Sequence, residues 1–345
     1  MNLRSSPSSN ASQLRLPLAN ASCLALLWLF ESRVGEAFWI SGALCYIPQH
    51  LALLPTLALL AWALREHQWK AAGAYALTLL WVAHVFVGLQ IPSSTWRRAQ
   101  NRPRLRLRAM AYNILGGQNG IGSLAATIRA QKPDVLFLEE AVVERAGDPD
   151  PVALLHAALP GYFEARAGEV CIFSRFPVLA QTQHGYPYGA GSNRFILEAM
   201  LDVRGVPVRV LGVHPYTITF SDPNRSFPQR IAHSLGIRNR QISTMLGIIE
   251  HAPSTWKPAW RKAPLLVGGD FNTPPRGRNY NALAAKLGDS WREAGWGMGN
   301  SYSAALPVVR IDYIWHSPQW TATRAEVINS RASDHRPLVA DLELS

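Results

Sequence analysis

Cysteine is scarce in this chain of 345 residues, and its three copies, Cys23, Cys45 and Cys171, lie far apart. There is no CxxC pair and no zinc-type spacing, which argues against a structural zinc and a disulfide scaffold. Each cysteine reads instead as a small buried thiol. Acidic residues are also few, 23 Asp and Glu against 34 Lys and Arg, for a formal net charge of +11. The imbalance is local. Residues 1–110 hold 11 Lys and Arg against 3 Asp and Glu, and the remainder holds 23 against 20. The C-terminal part is therefore only mildly basic, which argues against a long nucleic-acid footprint. Two catalytic signatures are missing as well. Gly116, Gly117, Gly120 and Gly122 are not followed by Gly-Lys-Ser/Thr, so they do not form a P-loop. No Gly-x-Ser-x-Gly elbow occurs, and Ser333, Asp334 and His335 are too close in sequence to form a nucleophilic relay with one another.

Long apolar runs are present, and they crowd into the N-terminal quarter. Residues 1–36 begin Ser/Asn-rich and carry a short apolar run ending at Phe30, followed by Glu31, Arg33 and Glu36. They are expected to be disordered or to form an interfacial helix. Residues 37–64 and 71–91 are two apolar stretches joined by the polar Arg65-Glu66-His67-Gln68-Trp69-Lys70. About 20 such residues cross a bilayer as a helix, so residues 37–91 read as a transmembrane hairpin. A basic linker, residues 92–104, follows. Arg97, Arg98, Arg102, Arg104, Arg106 and Arg108 outnumber the charges of the hairpin loop, which by the positive-inside rule puts the C-terminal part in the cytoplasm. They would also attract anionic membrane lipids. Arg104, Arg106 and Arg108 alternate with Leu105, Leu107 and Ala109, however, as on the exposed face of a strand.

From residue 105 onward the pattern is that of a mixed α/β domain. The central stretch is Leu265-Leu266-Val267-Gly268-Gly269-Asp270-Phe271-Asn272-Thr273-Pro274. A buried strand ends in two glycines. A carboxylate and a carboxamide follow at i and i+2, which an extended backbone points the same way. Further strands are expected at Leu105–Ile114, Pro133–Glu140, Val170–Ser174, Arg194–Val203, Pro207–His214, Val309–Trp315, Ala325–Ile328 and Pro337–Leu342. Helices are expected after a Ser123 cap to Ala130, over Asp150–Leu159, over Gln229–Glu250 and around Tyr280–Leu287. Strands and helices mix without strict alternation, which implies a two-sheet β-sandwich flanked by helices.

Polar residues gather where the apolar strands end: Asn113, Glu140, His214, Asp270, Asn272, Asp312, Asp334 and His335. Burying so many without partners would cost a few kcal/mol each, on the order of one lost hydrogen bond or more. They are expected to converge on something charged. Carboxylates and amides without thiolates suit a hard cation, Mg²⁺ or Mn²⁺. Two histidines beside them can donate to phosphate oxygens when charged.

The order of these stretches resembles the endonuclease/exonuclease/phosphatase superfamily, which includes pancreatic-type deoxyribonucleases, AP endonucleases, neutral sphingomyelinases and inositol polyphosphate phosphatases. The matching segments are Tyr112-Asn113, Leu138-Glu139-Glu140, Val213-His214, Gly269-Asp270-Phe271-Asn272, Arg310-Ile311-Asp312-Tyr313-Ile314 and Ser333-Asp334-His335-Arg336-Pro337. The resemblance spans residues 105–345 and implies a deoxyribonuclease I-like α/β sandwich. It implies a metal site at Glu140, with Asn113 beside it and Asp334 as a further carboxylate. It also implies catalytic roles. Asp270 positions or deprotonates water, and Asn272 holds the phosphate or the nucleophile. His335 contacts the scissile phosphate, Asp312 orients His335, and His214 is the second phosphate-binding or acid histidine. One departure is plain: the family usually has Gln-Glu where this chain has Glu139-Glu140. The extra carboxylate either points away along its strand or adds negative charge to the site.

The expected activity is that of a membrane-anchored, Mg²⁺-dependent phosphoesterase acting by in-line attack of an activated water, on a phospholipid or sphingolipid head group. Two alternatives stand beside it. One is a membrane-tethered endonuclease on DNA or RNA, with Arg225, Arg230, Arg238, Arg240, Arg276 and Arg278 lining a phosphate groove and Tyr216, Phe220 and Phe227 stacking. The other is a non-catalytic membrane scaffold of the same fold.

Overall fold

A computed structural model describes residues 10–92, 103–143, 147–186, 194–219 and 222–345. Among them the strands are β1 (Leu105–Asn113), β2 (Val135–Glu139), β3 (Phe163–Ala167), β4 (Val170–Ser174), β5 (Val178–Gly185) and β6 (Phe195–Val203). They continue with β7 (Val206–Val213), β8 (Leu265–Asp270), β9 (Gly288–Asp289), β10 (Asp312–His316), β11 (Trp320–Val327) and β12 (Leu338–Leu344). The helices are α1 (Asn10–Leu29), α2 (Trp39–Leu44), α3 (Leu53–Arg65), α4 (Trp69–Trp81), α5 (Ile121–Gln131), α6 (Pro151–Ala158), α7 (Phe227–Glu250), α8 (Arg278–Ala284) and α9 (Ser290–Ala294).

The strands make two six-stranded sheets, in the orders β11-β12-β1-β2-β4-β3 and β5-β6-β7-β8-β10-β9. Each sheet has one parallel pair at its centre, β1 with β2 and β7 with β8, and antiparallel partners outside. The sheets stack face to face. Phe137, Ile172, Leu197, Val210, Leu266 and Ile314 fill the layer between them. The outer face of the first sheet is covered by α5 and α6 over Met110, Leu136 and Phe173. The outer face of the second is covered by α7 and α8 over Leu211, Val267 and Trp315. Strands β2, β4 and β8 are covered on both faces, which is why they read as unbroken apolar runs.

Three strands escape the sequence pattern, the two-residue β9 and the longer β3 and β5. β3 and β5 are sheet edges, and their outward positions carry Glu164, Arg166, Gln181, Gln183 and other polar groups. Helix α5 starts at Ile121 behind Gly120, whose φ of 101° suits glycine. Ser123 does not cap it, because its hydroxyl donates to the Gly120 carbonyl at 2.7 Å.

The N-terminal segment differs most from expectation. Helix starts at Asn10, within the stretch expected to be disordered or interfacial. Residues 37–91 fold as short pieces. α3 and α4 have 13 residues each. At 1.5 Å per residue each rises about 20 Å, well short of a hydrocarbon core of about 30 Å. They pack on each other through Ala63, Ala71, Ala72 and Tyr75, but lend no support to two spans. Among the described residues, the one helix long and apolar enough to cross a membrane runs from Gln13 to Ala37. The arginine count also weakens. Arg106 and Arg108 pair across the sheet with Glu343 and Asp341, at 2.9 and 2.6 Å, so they serve strand pairing, and a cytoplasmic placement loses that support. Residues 93–102 of the expected linker, with Arg97, Arg98 and Arg102, lie outside the described residues.

The segment lies against the α7–α8 side of the sandwich. Glu31 and Arg276 form an ion pair at 2.9 Å, with both side chains buried. Asn239 donates to the Glu36 carbonyl at 2.9 Å and Asn281 to the Ser32 carbonyl at 3.1 Å. Gly277 leaves room for the Glu36 carboxylate, since a Cβ there would stand 2.1 Å from its oxygen.

Candidate active site

The polar residues meet because strand directions bring them to one end of the sandwich. Asn113, Glu140, His214 and Asp270 lie at or just beyond the carboxyl ends of the two central parallel pairs. Their antiparallel neighbours begin at that same end, so Asp312 opens β10 directly opposite Asp270, and His335 precedes β12. Glu169 precedes β4 in the same way, and the sequence reading did not single it out. Its signal was weak: a lone acid before a strand, in the turn after Gly168, where a solvated residue is ordinary.

At the centre is Asp270. Its Oδ2 lies 3.6 Å from His214 Nε2 and 3.7 Å from His335 Nε2. Behind each imidazole stands a carboxylate. Glu169 Oε1 is 2.9 Å from His214 Nδ1, and Asp312 Oδ2 accepts from His335 Nδ1 at 2.9 Å. Asn113 bridges two acids, its side-chain amide donating to Glu140 Oε1 at 3.0 Å and to Asp270 Oδ2 at 3.3 Å. Glu140 Oε1 is 3.8 Å from His214 Nε2. Asp334 and Asn272 line the same cavity as Glu140, Asp270 and His335. The structure therefore brings all eight expected residues to one place.

Local backbone chemistry fixes the arrangement. Gly268 faces Phe137 of the other sheet, where a Cβ would come within 2.2 Å of the ring. Gly269, at φ 147°, has no room either, since a Cβ would meet the Val213 carbonyl at 2.0 Å. The chain then turns rather than continuing as a strand. Asn272 has φ 48°, and its N–H donates to Asp270 Oδ1 at 2.8 Å. The expected strand geometry for Asp270 and Asn272 is thus replaced by a side-chain-closed turn. The Asn272 amide donates to the Pro215 carbonyl at 3.1 Å. Its carbonyl accepts from Arg238 at 2.5 Å and from the Tyr46 hydroxyl. Glu140 is also left-handed, at φ 52°, a local strain of the kind found at functional sites.

Charge follows from burial. Burial pushes the Asp270 carboxyl above its usual range, against the pull of His335. Burial alone would lower His335, but Asp312 and Asp270 outweigh it and raise it to about 10, so the imidazole is cationic at neutral pH. Burial would raise Glu169, yet His214 and Arg194 bring it below its ordinary value. Glu139 does not point away from the site. It is fully buried, neither carboxylate oxygen has a hydrogen-bond partner, and burial with the neighbouring Asp312 and Asp270 drives it well above its usual range. The extra acid therefore sits inside the site, and its surroundings favour the protonated form over the charged one.

A divalent cation fits this site. Asp270 and Asp312 offer carboxylate oxygens within 4.8 Å of each other, and Glu140 and Asp334 add two more acids to the cavity over Asp270. Asp312 Oδ1 is buried without a hydrogen-bond partner. The surplus of acid over imidazole, all oxygen and nitrogen donors without a thiolate, is the chemistry of Mg²⁺ or Mn²⁺ sites. Three of the six arginines expected to line a phosphate groove are engaged elsewhere. Arg238 and Arg276 are buried, one on the Asn272 carbonyl and one on Glu31. Arg225 pairs with Asp222. Of the expected stacking aromatics, Phe227 lines the cavity, Tyr216 lies under the Arg194 guanidinium, and Phe220 is outside the described residues.

In sequence, no curated protein matches the chain. In structure, it is similar to an endonuclease/exonuclease/phosphatase from Beutenbergia cavernae at 22% identity, covering 70% of this chain and 72% of that one with a TM-score of 0.53. It is similar to a mannosyl-6-phosphatase from Bacteroides thetaiotaomicron at 16% identity, over 68% and 99% of the two chains with a TM-score of 0.55. It is also similar to sphingomyelinase C from Streptomyces griseocarneus at 18% identity, over 69% and 99% with a TM-score of 0.51. These likenesses establish the fold. The sequence model of one family matches residues 110–335, well over half the chain, and the chain belongs to that family, the Endonuclease/Exonuclease/phosphatase family.

Proposed function

We propose that the chain is a divalent-metal-dependent phosphoester hydrolase held at a membrane by its N-terminal segment. The observation that carries this reading is Asp270, a buried carboxylate between two imidazoles that are each backed by an acid. A carboxylate with a raised pKa is the stronger base toward water. Asp270 takes a proton as the water oxygen forms its bond to phosphorus. The ester P–O bond opposite breaks, and the departing alkoxide takes a proton from His214. His335, already cationic, donates to a non-bridging oxygen as its charge grows. Asp312 and Glu169 keep the two rings turned with Nε2 toward the reaction. Glu140 and Asp334, with Asn113 beside them, would hold the cation. When bound, it supplies Lewis-acid stabilisation of the phosphoryl oxygens.

The membrane part rests on surface composition. Of 26 large apolar side chains exposed among the described residues, 17 fall between Leu16 and Ile91. A surface so apolar suits contact with lipid better than water.

The test is hydrolysis of soluble phosphomonoesters and phosphodiesters by the full chain, with Mg²⁺ or Mn²⁺ and with EDTA. Turnover that needs metal and falls about 10²- to 10⁴-fold in Asp270→Asn and in His335→Ala is the expected result. Turnover indifferent to metal and to both substitutions would overturn the assignment.

A further inference from the structure

The cavity over Asp270 and His335 has a wall that lies outside the matched family segment. Its volume is about 920 Å³. Its floor is polar: Glu140, Asp270, Asn272, Asp334 and His335. Its sides are apolar. Phe227 and Ile231 come from the first turns of α7, and Trp39, Ile40 and Ile47 come from α2 and the residues just after it. The latter three precede residue 110, where the family match begins.

This outer wall is tied to the catalytic turn. Tyr46, between Leu44 and Ile47 in the cavity lining, donates its hydroxyl to the Asn272 carbonyl, and the Arg238 guanidinium that shares that carbonyl sits 5.2 Å from the centre of the Tyr46 ring. Leu235 of α7 presses on Gly42, where a Cβ would stand 2.4 Å from its methyl group. The wall is thus part of the packed structure and stands beside the reacting carboxylate.

The apolar surface does not stop at the cavity. Ile40, Ile47 and Phe227 are exposed at its rim. From Ile47 the chain exposes Leu51, Leu54 and Leu57, spaced by four, three and three residues, so that Leu54 and Leu57 share one face of α3. A polar floor that opens along apolar walls onto an exposed apolar helix face has the polarity profile of an amphiphile entering from a bilayer. A sugar phosphate or a nucleotide would leave the walls wet.

We propose that this cavity takes a membrane lipid phosphoester, with its phosphate over Asp270 and His335 and its hydrocarbon chain along Trp39, Ile40, Ile47, Phe227 and Ile231, and that Trp39, Ile40 and Ile47 set this preference. The proposal rests on the phosphoester-hydrolase reading above and names its substrate class. Trp39, Ile40 and Ile47 act on the hydrocarbon and touch no reacting atom.

The experiment uses the full chain in lipid nanodiscs, with empty nanodiscs to correct for partitioning. Methyl alkyl phosphodiesters of increasing chain length, ethyl to decyl, are assayed with Mg²⁺ or Mn²⁺. Each added methylene is expected to raise kcat/KM about threefold until the cavity is filled. In Ile40→Glu/Ile47→Glu the decyl-to-ethyl ratio falls at least about tenfold, and in Ile40→Leu/Ile47→Leu the dependence returns, which separates a lost apolar wall from misfolding. Brisk turnover with no chain-length dependence overturns the proposal and leaves the hydrolase reading standing. If no ester is turned over, the hydrolase reading fails, and calorimetric binding of alkylphosphonates of the same lengths decides on the cavity. Affinity that climbs with chain length and is lost in the Glu variant supports it, and a flat series overturns it.

Discussion

His335 Nδ1 donates to Asp312 Oδ2 across 2.9 Å, and this one hydrogen bond turns Nε2 of the ring toward Asp270. The pair also holds His335 cationic, since Asp312 is the largest influence raising it against burial. Replacing Asp312 by Asn keeps the shape and removes the charge. The expected loss in kcat is about 10²-fold, with KM changed little. The pH profile gives the sharper readout. A raised imidazole contributes stability fully below its unfolded value of 6.5 and loses it as pH rises through about 10. The alkaline limb of activity in the unmodified protein therefore lies near that upper value. In Asp312→Asn it moves down, which a merely structural role for Asp312 would not produce.

Glu169 stands to His214 as Asp312 stands to His335. Glu169→Gln is expected to lower kcat about 10- to 100-fold, as losing an orienting carboxylate does. Its pKa is depressed, so its contribution to stability is present above the unfolded value of 4.5 and disappears as pH falls through the folded one. Thermal melts from neutral pH to below pH 4 should show the unmodified protein losing stability faster than the Gln variant across the acid range. Parallel curves would mean that Glu169 gains nothing from His214 and Arg194.

How far the sequence reaches is clear from these residues. Asp270, Asp312 and His335 were legible because each is a polar group against an apolar run, in an order that resembles a known family. Glu169 was not, because a single acid opening a short strand looks like any solvated turn, and only the antiparallel placement of β4 beside β2 brings it to His214. The sandwich was legible from its doubly covered strands, whereas edge strands β3 and β5 hid behind their polar outer positions. The two spans expected of the N-terminal segment lack support for a different reason. Counting apolar residues does not distinguish a bilayer from a protein surface, and Arg276, Asn239, Asn281 and Gly277, which bind that segment, are some 200 residues further along the chain.

Glu139 offers a test of buried charge. Its carboxyl is held well above the usual range, chiefly by burial, so the folded protein favours its neutral form. Stability from this group is greatest below pH 4.5 and is lost as pH rises toward the folded value. Glu139→Gln supplies the same shape without the titration. In metal-free protein the variant should melt higher than the unmodified chain at pH 7 to 8, and the two should converge near pH 4. Activity should stay within about threefold, since Gln keeps the shape and hydrogen-bonding capacity of a protonated acid. A Gln variant that melts lower at neutral pH would show that Glu139 is ionised and partnered in the folded protein.

The buried pair of Glu31 and Arg276 is what to break to learn whether the N-terminal segment belongs to the working enzyme. Both side chains are almost fully enclosed, and Arg276 also lies 4.2 Å over the Phe86 ring. Arg276→Ala leaves the Glu31 carboxylate buried without its counter-charge, which costs about 3 kcal/mol or more. The cheapest relief is for the segment to lift from the α7–α8 face, so cleavage by a dilute protease should move to residues 30–90 while the sandwich stays intact. The double variant Arg276→Leu/Glu31→Leu removes both charges and should recover most of the loss, since apolar residues of similar volume replace a buried ion pair at little cost. Activity on soluble short-chain esters then reads the coupling through Tyr46 and Asn272. If the segment braces the catalytic turn, Arg276→Ala lowers kcat and the double variant restores it. If kcat is indifferent in both while protease sensitivity changes as expected, the segment serves only as anchor and wall.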